Sequence, residues 1–148
     1  MKNRLLSKIA PFAAALIVPL ALNSCVHDSQ RQFAPGASES RINSVKSIHV
    51  RDETGGEKTE LAADLTSELK SMGYQASTGK PARTDAVLTF KDQWTWDITM
   101  YMLSLEVQLR EPGSGAVFAT AKTVRTSLAR KSQKEMVRET LTKLLKNS

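Results

Sequence analysis

Residues 85–96 read DAVLTFKDQWTW, and from Ala86 onward every second position is apolar: Ala86, Leu88, Phe90, Trp94 and Trp96, with the carboxylate Asp92 alone breaking the series. Alternate side chains of an extended chain share a face, so period two predicts a strand with one buried side. Residues 99–110, TMYMLSLEVQLR, resume the alternation out of phase. There Tyr101, Leu103, Leu105, Val107 and Leu109 oppose Ser104, Glu106, Gln108 and Arg110, which leaves Met100 and Met102 on the side opposite Tyr101. Asp97 and Ile98 fit a hairpin turn or bulge between the two runs. EPGSG at 111–115 is a second turn, and AVFATAKTVRTS over 116–127 a third strand, so an antiparallel meander is expected.

The flanks complete the outline. SVKSIHV, residues 44–50, is rich in β-branched residues and predicts a first strand. Thr54 and Glu57 have capping-box spacing, after which Leu61, Leu65, Leu69 and Met72 recur at helical period until Gly73. Ser132 and Glu135 form a second capping pair, opening a helix striped by Val137, Leu141, Leu144 and Leu145. The expected fold is α+β: a two-layer sandwich in the order β-α-β-β-β-α, with a four-stranded, mainly antiparallel sheet and two helices on one face. Cover on one face only explains why the strands alternate and do not run continuously apolar.

At the other end, Lys2, Arg4 and Lys8 are basic, and Ile9 to Leu22 carries no charge over 14 residues. That run is interrupted by Pro11 and Pro19 and falls short of the ~20 residues that cross a bilayer as helix. A basic start, a short apolar stretch and small residues beyond are the parts of a secretory signal. The stretch ends in Leu22-Asn23-Ser24-Cys25, which holds the one cysteine of the chain.

These four residues resemble the lipobox of bacterial lipoproteins. The resemblance implies cleavage between Ser24 and Cys25 and attachment of lipid to the Cys25 thiol, with no other cofactor. Two or more acyl chains hold a protein to a bilayer stably where one does not. Val26, standing where an acidic residue would favour the inner membrane, implies the periplasmic face of the outer membrane. In size, lipobox and order of elements the chain also resembles small outer-membrane lipoproteins typified by the lipopolysaccharide-assembly subunit LptE, which implies a similar fold. Residues 1–24 are thus a removable signal and 44–148 a single domain. Residues 25–43 are the lipidated cysteine and a flexible tether, since HDSQRQFAPGASESR is too polar to bury much surface.

Loss of Lys2, Arg4 and Lys8 with the signal leaves 18 basic against 15 acidic residues, a net charge of +3 where the whole chain carries +6. That weakens any case for nucleic acid as a partner. Between Lys122 and Lys146, however, eight Lys and Arg stand against two Glu, a face attracted to anionic surfaces or to solvent alone. Chemistry is sparse. The two histidines, His27 and His49, have no metal-ligand spacing, and His49 reads as a solvent-side or edge residue. No nucleophile motif or phosphate loop occurs, so neither metal nor enzymatic activity is expected.

What remains is a binding surface at Trp94, Trp96, Asp97, Met100 and Met102. Paired indoles beside carboxylates suit sugar stacking, and adaptable thioethers suit a protein partner. Equally, Trp94 and Trp96 share parity with Leu88 and Phe90 and would extend the core. The expected role is a non-catalytic accessory or assembly lipoprotein, bound to the membrane and to another envelope protein. The alternative is a module binding peptidoglycan or lipopolysaccharide through the tryptophans and the basic C-terminal helix.

Overall fold

The computed structural model describes residues 30–53, 59–79 and 83–146. The signal, Ser24, Cys25 and the Thr54–Glu57 capping pair lie outside the described residues. Six strands form one sheet: β1 (Gln30–Phe33), β2 (Ser47–Asp52), β3 (Gln75–Ser77), β4 (Ala86–Trp96), β5 (Met100–Arg110) and β6 (Val117–Val124). The helices are α1 (Glu39–Asn43), α2 (Thr59–Ser71) and α3 (Gln133–Leu145), with a short 3-10 turn at Ser127–Ala129.

The sheet order is β1-β6-β5-β4-β2-β3. The expected meander is present, with β4 antiparallel to β5 and β5 to β6. The sheet is nevertheless mixed, because β2 pairs in parallel with both β4 and β3. Among the described residues, the four-stranded expectation is corrected to six strands, and the two helices to three. Both added strands are short edges. β3 follows α2 and completes a parallel crossover; β1 pairs with β6 from Gln30↔Lys122 to Phe33↔Ala119.

The flexible tether expected over 25–43 is corrected for its described part, residues 30–43, which fold as β1 and α1. Polar as it is, β1 satisfies the backbone groups of an otherwise open β6, a gain that local composition does not register. α1 contributes the buried Ile42 to the core.

One core joins Ile48 and Val50 of β2, Leu88 and Phe90 of β4, and Leu105, Val107 and Leu109 of β5 to Leu61, Leu65 and Leu69 of α2 and Met136, Val137, Leu141 and Leu144 of α3. The two long helices pack against each other and against the sheet. The α3 capping box is complete: Ser132 Oγ accepts from Glu135 N–H, and the Glu135 carboxylate accepts from Ser132 N–H at 2.9 Å. The Ser132 hydroxyl also donates to the Glu135 carboxylate at 2.7 Å, and this bond first, then the Ser132 amide, holds that carboxyl below the usual range. His49 is not at an edge or in solvent: β2 lies between β3 and β4, and the imidazole is buried.

Candidate functional site

The helix-side face of β4 is sealed at Ala86, Leu88 and Phe90, and then opens. Trp94 is 41% exposed and Trp96 68%. β4 and β5 are each 11 residues long, and their hairpin runs past the sealed core. The tryptophans do continue the core parity, as one sequence reading had it, but at a level where they meet solvent.

On β5 a register shift changes the alternation. Gln93 pairs with Ser104 but Trp94 pairs with Met102, so Leu103 is an extra residue on β5. Such a bulge moves every later side chain to the opposite face from the one a regular ladder would give. Met102 and Met100 therefore join the helix-side face, opposite Trp94 and Trp96. The sequence expectation that both methionines face away from Leu105 is corrected. Met102 is 1% exposed and belongs to the core, so it leaves the binding surface; Met100, at 60%, stays on it.

Asp92, awkward on a core face, accepts a hydrogen bond from Trp94 Nε1 at 2.7 Å. Asp97 turns the corner, accepting from the Ile98 N–H and pairing with Arg130 Nη2 at 2.7 Å. The Arg130 bond, then the Ile98 amide, holds the Asp97 carboxyl below the usual carboxylate range. Arg130 also donates to Thr99 Oγ1 at 2.7 Å and lies 4.5 Å from the Tyr101 ring centroid. It thereby ties the segment after β6 to the hairpin loop and brings Leu128, 98% exposed, to the same end as Ile98, 83% exposed. Sequence reasoning missed Ile98, Leu128 and Arg130. The available signal was an aliphatic residue in each of two loops with no periodic partner.

The opposite end of the sheet differs in kind. Arg41 makes a bidentate pair with Glu111, Nε to Oε1 at 2.7 Å and Nη2 to Oε2 at 2.8 Å, and its guanidinium lies 4.7 Å from the Phe118 ring centroid. Asp85 accepts from Lys46 N, Ser47 N and Ser47 Oγ. Backbone donors chiefly depress the Asp85 carboxyl, and the Arg41 bond depresses Glu111. A hollow of about 330 Å³ lies beside Arg41, Glu111 and Phe118, but the charges lining it are already satisfied by each other. Among the described residues no group of three His, Cys, Asp or Glu side chains converges on a point, and no helix is long and apolar enough to cross a membrane.

No protein-family model matches the chain, and no curated protein does. Among solved structures, the fold is similar to that of the PelC dodecamer from Paraburkholderia phytofirmans. One such structure is 16% identical at a TM-score of 0.57, covering 80% of this chain and 98% of that one. A leucine-to-methionine variant of it is 15% identical at 0.56, covering 82% and 98%. At this level the likeness is one of fold.

Proposed function

We propose that the protein is a lipid-anchored, non-catalytic envelope lipoprotein, held through Cys25 at the periplasmic face of the outer membrane, where it serves as an accessory or assembly subunit acting by binding. The observation that carries this reading is the gathering of Trp94, Trp96, Ile98, Met100 and Leu128 at one end of the domain, where five of the six exposed large apolar side chains among the described residues lie, Phe33 on β1 being the sixth. Exposed large apolar side chains gathered at one end mark a place that something else covers. The lipobox-like residues supply the anchor. The PelC structures are dodecamers, which brings association between copies into the same reading.

The test is chemical. The native lipoprotein is expected to show by intact mass a chain beginning at Cys25 with acyl groups attached, and Cys25→Ala to move from the membrane pellet to the supernatant. An unmodified thiol in the native protein would overturn the reading. A glycan-binding role is the second reading, favoured by the exposure of both indoles next to Asp92. It predicts that muropeptides or lipopolysaccharide sugars change the tryptophan emission.

A further inference from the structure

Cys25 stands five residues before Gln30, where β1 begins, and the sheet register fixes the direction of β1. Gln30 pairs with Lys122, Lys122 with Glu106, and Glu106 with Lys91, so these four residues stand at one level across the sheet. β1 runs antiparallel to β6, from Gln30 at Lys122 to Phe33 at Ala119. Continued backward from Gln30, its direction therefore points the way β6 runs past Lys122, toward Ser104, Trp94 and the hairpin loop. Trp96 lies five residues beyond Lys91 on β4, a rise of about 17 Å. Five residues of chain between Cys25 and Gln30 span at most about the same distance. The apolar end of the hairpin thus lies at the end of the sheet from which β1 sets out, at a level that the five residues back to Cys25 are long enough to reach.

From this we infer that the hairpin end is a membrane-insertion surface: Trp94, Trp96, Ile98, Met100 and Leu128 enter the headgroup and upper acyl region of the leaflet that holds the lipid on Cys25. The inference rests on the anchor reading above and assigns an occupant to the same surface. Three features favour lipid over sugar or protein. The surface is the projecting end of a hairpin, a convex shape that fluid lipid accommodates without a complementary groove. Its most exposed members, Ile98 and Leu128, are aliphatic and offer nothing to a sugar hydroxyl, whereas mixed indole and aliphatic side chains suit the bilayer interface. The carboxylate at the hairpin tip, Asp97, is paired with Arg130, whose positive charge offsets it toward anionic headgroups, and Asp92 accepts from the Trp94 indole. Insertion at this end would hold the domain upright, with the Arg41–Glu111 end directed into the periplasm.

The chain has two tryptophans and both lie in this surface, so emission excited selectively at tryptophan reports on nothing else. The experiment places the intact, acylated lipoprotein in phosphatidylethanolamine and phosphatidylglycerol vesicles, with and without brominated acyl chains. The expected result is a blue-shifted emission that bromolipid quenches and aqueous iodide reaches poorly. The double variant Ile98→Asp, Leu128→Asp should stay in the vesicle pellet through its lipid yet lose most of the bromolipid quenching. For the unacylated Cys25→Ala chain, the same two substitutions should weaken vesicle binding at least about tenfold. An acylated protein whose tryptophans remain open to iodide and untouched by bromolipid overturns the inference while leaving the anchor intact. Emission that responds to muropeptides and not to bromolipid overturns it in favour of a glycan. Bromolipid quenching in the Cys25→Ala chain supports it even if the native thiol proves unmodified.

Discussion

His49 lies in an interior strand with 4% of its surface exposed, and its Nδ1 has no hydrogen-bond partner among the described residues. Burial first, and Arg51 second, lower its pKa from the ordinary value. The unfolded imidazole takes up a proton near pH 6.5, which the folded one resists. Stability from this group is therefore complete above about pH 6.5 and declines as the pH falls through and below that value. A melting temperature that drops between about pH 7 and pH 5, with a shallower drop in His49→Gln, is the expected outcome; identical profiles for the two proteins would refute it. Nothing in SVKSIHV foretold this burial, because alternation predicts only that His49 faces away from Ile48 and Val50. That β3 would flank it on one side and β4 on the other was settled by strand order.

A single extra residue decides the surface of the long hairpin. With Leu103 bulged out, Met102 packs in the core and Met100 reaches solvent beside Trp96, although the two are only one residue apart on the same face. Met102→Ala should therefore cost about 2–5 kcal/mol, as for truncation of any fully buried long apolar side chain. Met100→Ala should stay within about 0.5 kcal/mol of wild type. Urea denaturation midpoints measure both, and similar losses at the two positions would contradict the bulge. The phase change between residues 85–96 and 99–110 is visible in the sequence, and Asp97 and Ile98 are where a reader naturally puts it. The structure uses both devices, a turn at Asp97 and Ile98 and a bulge five residues later. Only pairing against β4 reveals the second, since a bulge is a relation between strands and not a property of one.

Across the whole molecule, polarity follows position along the sheet. One end is apolar and is the end from which β1 sets out; the other is bound by the Arg41–Glu111 pair and the Asp85 hydrogen bonds. Both sheet edges are short, four residues in β1 and three in β3, which blunts indefinite strand addition. If copies associate as in the PelC dodecamers, analytical ultracentrifugation of the detergent-solubilised lipoprotein should give one species of several chains, and a monomer at all concentrations would remove self-assembly from the proposal. Residues 86–110, 116–124 and 133–145 carried enough periodicity to define the meander, the last helix and its capping box, because one-sided burial imprints a period on any chain that must hide one face. So did the helix around Leu61, Leu65 and Leu69. The edge strands, the mixed pairing of β2, the burial of His49 and Met102 and the exposure of Trp94 and Trp96 bear no such imprint. Each depends on which distant segment lies alongside and how far the helices extend over the sheet, and those are decided only when the whole chain has packed.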